Sequence, residues 1–292
     1  MSVIAGVRAL WRIQGLDITI TGTEHLPATG GVVMAINHTG YLDFTFSGLP
    51  FYRMRPRRHV RYMAKKEVVE HKYLGGVMHA MGHIPVDRSN GAASFDAAVR
   101  ELKAGEIVAV YPEATISRSF ELKEFKSGAA RMAIAANVPI VPHIVWGAQR
   151  IWTKDHPKKM WRPKVPISVA VGEPIQPTLP PTELTALLRA RMQELLEQVQ
   201  DAYGPYPPGE FWVPHRLGGG APTPAQAAEL EAAEMAARAA KRQQSGGATA
   251  RWTPEWNLFT GELKSQPRSP PGRSAPGSAT RAWRTSPPMA VP

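Results

Sequence analysis

Three short segments hold most of the side chains able to do chemistry: Asn37-His38-Thr39-Gly40-Tyr41-Leu42-Asp43, Gly82-His83-Ile84-Pro85-Val86-Asp87-Arg88 and Tyr111-Pro112-Glu113-Ala114-Thr115. The first pairs a base with a carboxylate able to orient it; the later two add a cation, Arg88, and a second carboxylate, Glu113. If Asp43 holds one imidazole nitrogen of His38 protonated, the other is left to take a proton from a hydroxyl, as a transferase site requires. Taken alone, the same pair also reads as a satisfied polar contact between a loop and a helix start. The chain has no cysteine, so a thiolate nucleophile, a disulfide framework and a thiolate metal site are all excluded. His38, Asp43, His79 and His83 match no zinc-binding spacing, and neither a metal nor a cofactor is expected.

The spacing of His38 and Asp43 restricts the elements that carry them. Residues five apart on a regular helix are rotated by about 140°, so the two side chains cannot meet from within one helix. They need a bend. The apolar run Val32 to Ile36 has strand length, and a turn through Thr39-Gly40 followed by a helix start near Tyr41 puts His38 on a loop and Asp43 in the first helical turn. This is the carboxyl edge of a sheet, where α/β proteins bind ligands.

Further apolar runs at Ile107 to Tyr111, Ile140 to Trp146 and Ile167 to Val171 alternate with helical patterns, one through Phe95, Ala98, Val99 and Leu102 and one from Gly128 to Ala136. The expected fold is therefore α/β, a single-domain sandwich of a largely parallel sheet flanked by helices. A long helix opens near Thr182, carries Leu184, Leu188, Met192 and Leu196 on one stripe, and ends at Gly204-Pro205. The expected organisation is an amphipathic N-terminal helix at 1–14, the folded domain at 15–204, and a Pro/Ala/Gly-rich, mostly disordered tail at 205–292 with a helix at 224–242 capped by Thr223.

Lys plus Arg number 35 against 24 Asp plus Glu, a formal charge of +11 that attracts polyanions. Arg53, Arg55, Arg57, Arg58 and Arg61 crowd the stretch directly after the first motif. Near an anionic leaflet each basic residue contributes about 1 kcal/mol, so the run is assigned to a membrane surface, with Trp11 of the N-terminal helix suited to the headgroup boundary or, equally, to packing on the domain. A solvated charged face is the plain alternative. Nucleic acid would use the same arginines, but no nucleic-acid motif accompanies them, and it is not the expected partner. No stretch of the sequence is long and apolar enough to cross a bilayer.

The order and wording of these segments resemble the glycerolipid acyltransferase superfamily, whose members acylate lysophosphatidic acid in phospholipid synthesis. Gly22-Thr23-Glu24-His25-Leu26-Pro27 and Val138-Pro139-Ile140-Val141-Pro142 also look like blocks of that superfamily in its order, so the resemblance covers roughly residues 5 to 200. It implies His38 and Asp43 as the catalytic pair. Arg88, Glu113, Thr115 and Arg118 are implied as acceptor contacts, and Lys126 and Gly128, opening a helix after Phe125, as donor or phosphate contacts. Plain readings stand beside these: Arg88 paired with Asp87, Glu113 tying a loop, Lys126 solvated.

The third motif departs from the usual Phe-Pro-Glu-Gly-Thr-Arg-Ser, because Tyr111 replaces phenylalanine, Ala114 replaces glycine, and Ile116 stands where arginine is expected; Arg118 follows two residues on. The resemblance implies an acyltransferase drawing on acyl-CoA or acyl carrier protein as co-substrate and acylating a lysophospholipid, first 1-acyl-sn-glycerol 3-phosphate, while peripheral on the cytoplasmic face of the cell membrane. A different acceptor, such as glycerol 3-phosphate, another lysolipid or a glycolipid, is the nearest alternative. A non-catalytic lipid- or nucleic-acid-binding module is the alternative from another class.

Overall fold

The computed structural model describes residues 2–66, 70, 75–87 and 91–244. Arg88 and residues 245–292 lie outside the described residues. The chain opens with α1 (Ser2–Gln14), β1 (Asp17–Thr21) and β2 (Val32–Ile36), continues through α2 (Asp43–Ser47), α3 (Leu49–Arg53) and β3 (Val60–Lys65), and then forms α4 (Gly75–Ala80), β4 (Ile84–Val86) and α5 (Gly91–Lys103). It goes on through β5 (Ile107–Val110), α6 (Gly128–Ala136), β6 (Ile140–Trp146) and β7 (Pro166–Val171), and finishes with α7 (Pro181–Tyr203) and α8 (Pro224–Gln244).

The strands form one sheet in the order β1-β7-β6-β2-β5-β3-β4, parallel at every pair but the antiparallel β6–β7. β2 lies centrally and is buried along its whole length, which is why its five residues read as an unbroken apolar run. Val33 and Ala35 pack with Ala98 and Leu102 of α5, Ala133 of α6 and Leu188 of α7. Val32, Met34 and Ile36 pack on the other face with Trp11 of α1, Phe46 of α2 and Phe51 of α3. The period of two along the strand thus divides it between two helical layers.

The connection after β2 runs to α2 on one face, and that after β5 leads to α6 on the other. β2 and β5 are neighbours, so their carboxyl ends flank a topological switch point, the usual crevice for ligands in such sheets. His38 follows β2 and Glu113 follows β5, and both fall at this crevice.

The structure corrects the expected organisation at two places. The folded unit does not close at Gly204: Trp212 and Val213 are buried, Ala221 joins the core, and the Arg150 guanidinium lies 4.2 Å over the Trp212 ring. Scarce apolar residues in a Pro/Gly-rich segment suffice when each fills a gap beside α7. α8 then runs to Gln244 behind a reciprocal cap, in which Gln226 N–H donates to Thr223 Oγ1 and Thr223 N–H to Gln226 Oε1.

Trp11, assigned to a membrane surface, instead points inward and stacks on Phe46 at 5.0 Å, with only 7% of its surface exposed. The helical face that carries Val7, Trp11 and Gln14 is turned to the core, anchored by Gln14 Nε2, which donates to Met160 O at 2.8 Å.

Candidate active site

The loop between β2 and α2 is organised by one carboxylate oxygen. Asp43 Oδ2 accepts the backbone N–H of Thr39 and of Gly40, each at 2.8 Å, and lies 3.0 Å from His38 Nδ1. An ionised carboxylate can only accept, so with Asp43 ionised this contact places the hydrogen on Nδ1 and leaves the lone pair to Nε2. Asp43 is fully buried, whereas the His38 side chain is 19% exposed. A partly exposed imidazole thus rests on a buried support. Glycine is required at position 40 because a Cβ there would meet Trp152 O at 2.9 Å.

The backbone of His38 is clamped from the β5 side. Its N–H donates to Glu113 Oε1 at 2.8 Å, and its carbonyl accepts from Ser117 N–H at 2.8 Å. The Tyr111 ring stacks on the imidazole at a centroid distance of 4.1 Å. Glu113 also accepts Lys123 N–H through Oε2, so it bridges His38 to the following loop. Burial pushes the Glu113 carboxyl up to about 8, against the downward pull of those two N–H groups and of the Lys123 ammonium. The observed contacts of this carboxylate match the loop-tying reading offered above.

Residues that the sequence analysis did not single out complete this frame. Asn37 is wholly buried and bonds both ways with Val145, accepting its N–H at 2.7 Å and donating to its carbonyl at 3.1 Å, so a side chain continues the pairing of β2 with β6 just where the backbone turns away. Thr153 Oγ1 donates to Thr39 O at 2.7 Å. Asn37 was visible within the first motif, but nothing in its spacing announced a partner 108 residues away.

The implied acceptor contacts lie in a charged cluster beside this loop. Lys123 Nζ reaches Thr115 Oγ1 at 2.5 Å and both oxygens of Glu231 at 2.6 and 2.7 Å. Arg118 pairs with Asp155 at 2.5 Å and with Glu234 at 2.9 Å, and Lys154 also reaches Glu234. Thr115 and Arg118 are therefore engaged by two carboxylates from α8, an element expected in the tail. Lys126 is exposed, its backbone N–H donating to Pro112 O at 2.9 Å, and Gly128 opens α6.

The third motif's departures have structural counterparts. Ala114 has φ 63°, the left-handed region that favours glycine, and Ile116 is buried with 3% exposure.

The basic run is not one surface, because two of its five arginines are engaged within the fold. Arg58 donates to the carbonyls of Pro27 and Gly105, each at 2.8 Å, and to that of Gly30, tying three loops together. Arg61 pairs with Glu106 at 3.1 Å and Glu101 at 3.5 Å. Planar guanidinium groups suit such multiple anchoring, and these two are consumed by it. Arg53, Arg55 and Arg57 line a shallow cavity of about 150 Å³ with Arg8, and Arg57 also sits 4.7 Å over the Tyr52 ring.

An open, largely parallel sheet with a histidine held by a buried carboxylate at its switch point defines the class, and the chain belongs to the glycerolipid acyltransferase superfamily: the sequence profile described as Acyltransferase matches residues 17–146. It is an acyltransferase. Among relatives, the 1-acyl-sn-glycerol-3-phosphate acyltransferase of Bacillus subtilis (strain 168) is 29% identical over 189 residues, covering 63% of this chain and 88% of that protein. The protein of the same name from Limnanthes douglasii is 31% identical over 204 residues, 68% of this chain and 66% of that one. The crystal structure of the 1-acyl-sn-glycerophosphate acyltransferase PlsC from Thermotoga maritima shares the fold, with a TM-score of 0.57 at 18% identity over 70% of this chain and 80% of that one.

Proposed function

We propose that this chain transfers a fatty acyl group from acyl-CoA or acyl carrier protein to the free hydroxyl of 1-acyl-sn-glycerol 3-phosphate, giving phosphatidic acid, with His38 as general base. The observation that carries this reading is the 3.0 Å contact between Nδ1 of the partly exposed His38 and the buried Asp43, which leaves Nε2 for the acceptor hydroxyl. Nε2 removes the proton of the acceptor hydroxyl while its oxygen bonds to the thioester carbonyl carbon, forming a tetrahedral adduct. Collapse of the adduct breaks the carbon–sulfur bond, and the imidazolium returns the proton to the departing thiolate. No acyl-enzyme forms. The names borne by the Bacillus and Limnanthes relatives support the choice of acceptor.

Arg88 is assigned to the acceptor phosphate, Thr115 and Arg118 to the acceptor's surroundings, and Lys126 with the N-terminal end of α6 at Gly128 to the donor. The enzyme works as a peripheral protein on the inner face of the membrane, where Arg8, Arg53, Arg55 and Arg57 attract anionic headgroups. Among the described residues no helix is long and apolar enough to cross a membrane.

Release of free CoA from acyl-CoA, or of free acyl carrier protein from its acylated form, dependent on lysophosphatidic acid, tests the reaction; a folded preparation that acylates no lysolipid from either donor refutes it. His38→Ala is expected to lower turnover about 10²–10⁴-fold with the fold intact. A second reading keeps the chemistry and changes the acceptor, and the buried Ile116 at the arginine position of the third motif favours it. A panel of glycerol 3-phosphate, lysolipids and glycolipids at fixed donor separates the two.

A further inference from the structure

The most exposed large apolar side chain among the described residues is Trp161, at 81%, on the irregular segment between β6 and β7. An indole in water with no packing role is costly to keep there, and its amphipathic ring suits the boundary between water and acyl chains. Leu10 and Ile13 of α1, 43% and 53% exposed, lie three residues apart on one flank of that helix.

Two backbone ties bring the segments together. Gln14, one residue after Ile13, donates to Met160 O at 2.8 Å, and Lys164 N–H donates to Gln14 O at 3.1 Å. Three exposed apolar side chains thus come from adjoining stretches that are fixed to one another. A helix with one face in the core and a bare apolar flank has a second surface to satisfy.

The charges within the two stretches that carry the patch are of one sign, with Asp17, opposite Pro166 at the start of β1, the nearby acid. α1 carries Arg8 and Arg12 and no acidic residue, and the segment 158–164 adds Lys158, Lys159, Arg162 and Lys164 with no acid. Arg12, Arg162 and Lys164 are exposed and make no ion pair within 4.0 Å among the described residues. Lys158 and Lys159 lie over the rings of Trp152 and Phe211 instead of beside carboxylates. Apolar anchors ringed by uncompensated cations match an anionic bilayer better than a protein partner, whose docking face would need its own acids arranged to suit.

The patch is also joined to the chemistry. Trp152, at the start of the same segment, accepts Tyr41 N–H at 3.0 Å through its carbonyl, and Tyr41 lies in the loop between His38 and Asp43. α1 in turn covers α2 through the Trp11–Phe46 stack.

We propose that Trp161, with Leu10 and Ile13 and the flanking Arg12, Arg162 and Lys164, is the surface that seats this protein on an anionic bilayer, the indole entering the headgroup boundary. This rests on the peripheral reading above and moves its apolar anchor from Trp11 to Trp161.

The test is co-sedimentation of the full chain with vesicles of phosphatidylcholine alone and of phosphatidylcholine mixed equally with phosphatidylglycerol, at rising salt. The expected result is salt-sensitive binding to the mixed vesicles, weakened about tenfold in Trp161→Ala and in Leu10→Ser/Ile13→Ser, and retained in Trp161→Phe. Arg162→Glu/Lys164→Glu is expected to reduce the preference for phosphatidylglycerol severalfold, the remaining arginines keeping part of it. Quenching by brominated acyl chains is expected to drop in Trp161→Phe, because that variant binds but lacks the inserted indole. Trp161→Ala is expected to keep its melting temperature and its turnover of a short-chain, monomeric acceptor. Binding by the parent with Trp161→Ala unchanged overturns this surface and leaves the peripheral reading standing. Absence of parental binding to either vesicle overturns both. Self-association abolished by Trp161→Ala, without vesicle binding, assigns the patch to a second copy of the chain and overturns the proposal.

Discussion

Asp43→Asn separates the two roles of the buried carboxylate. The amide keeps the shape of the side chain, and its oxygen can still accept the N–H groups of Thr39 and Gly40, so the loop should persist at a cost of about 1–2 kcal/mol from weaker, uncharged hydrogen bonds. What disappears is the negative charge 3.0 Å from His38 Nδ1. On the proposed mechanism the imidazole gains a proton in the transition state, and that charge would attract it by roughly 5 kcal/mol at an effective dielectric near 20. Solvent relaxation recovers part of this, and each 1.4 kcal/mol or so is a factor of ten, which leaves an expected fall in kcat/KM of roughly 10²–10³. The fall should appear in kcat more than in KM, because the interaction strengthens only as the proton moves. The assay follows CoA release with a lysophosphatidate acceptor, beside a thermal melt of each variant. Turnover of a folded Asp43→Asn within about threefold of the parent would refute the argument that this carboxylate supports a base, since a charge loss of that size has no other way to go unnoticed.

Three further outcomes follow from the geometry. Ala114→Gly relieves a left-handed residue at a cost of about 0.5–1 kcal/mol in unfolded-state entropy against about 1–2 kcal/mol of strain, so a small net gain in stability is expected, and an unchanged or lower melting temperature argues against strain there. Asn37→Ala leaves the N–H and C=O of Val145 without their side-chain partners inside the sheet, with an expected loss of about 2–4 kcal/mol in a urea titration. Burial lowers His143 and His83 to about 4, so as pH falls below their ordinary 6.5 the unfolded chain takes up protons first, and the stability these residues confer is full above that point and lost toward 4. Glu113, raised to about 8, works the opposite way, conferring stability that is lost as pH rises from about 4.5 through 8. Comparing each protein's urea midpoint at pH 7 and pH 5 cancels Glu113, and His143→Gln is expected to lose less stability on acidification than the parent.

The readable parts of this protein are those encoded within a few residues. A histidine and an aspartate five apart, with glycine between, can meet only across a bend, and that local constraint located the loop, the strand before it and the helix after it. The unbroken run Val32 to Ile36 announced a strand covered on both faces, and Thr223 announced the cap of α8. Resemblance of the motifs supplied the superfamily, because their order survives where identity is low.

Tertiary structure decided what depends on a distant partner. The arginines from 53 to 61 look alike in sequence, yet Arg58 and Arg61 are taken up by carbonyls and carboxylates on other loops while Arg53, Arg55 and Arg57 are left at the surface. Which flank of α1 is buried, and so whether Trp11 or Trp161 faces outward, turned on where the segment at Met160 arrives. The carboxylates facing Thr115, Lys123 and Arg118 come from α8, more than a hundred residues along the chain. Spacing reports neighbours within a turn or a strand, whereas burial and pairing are settled by elements whose approach no local pattern records.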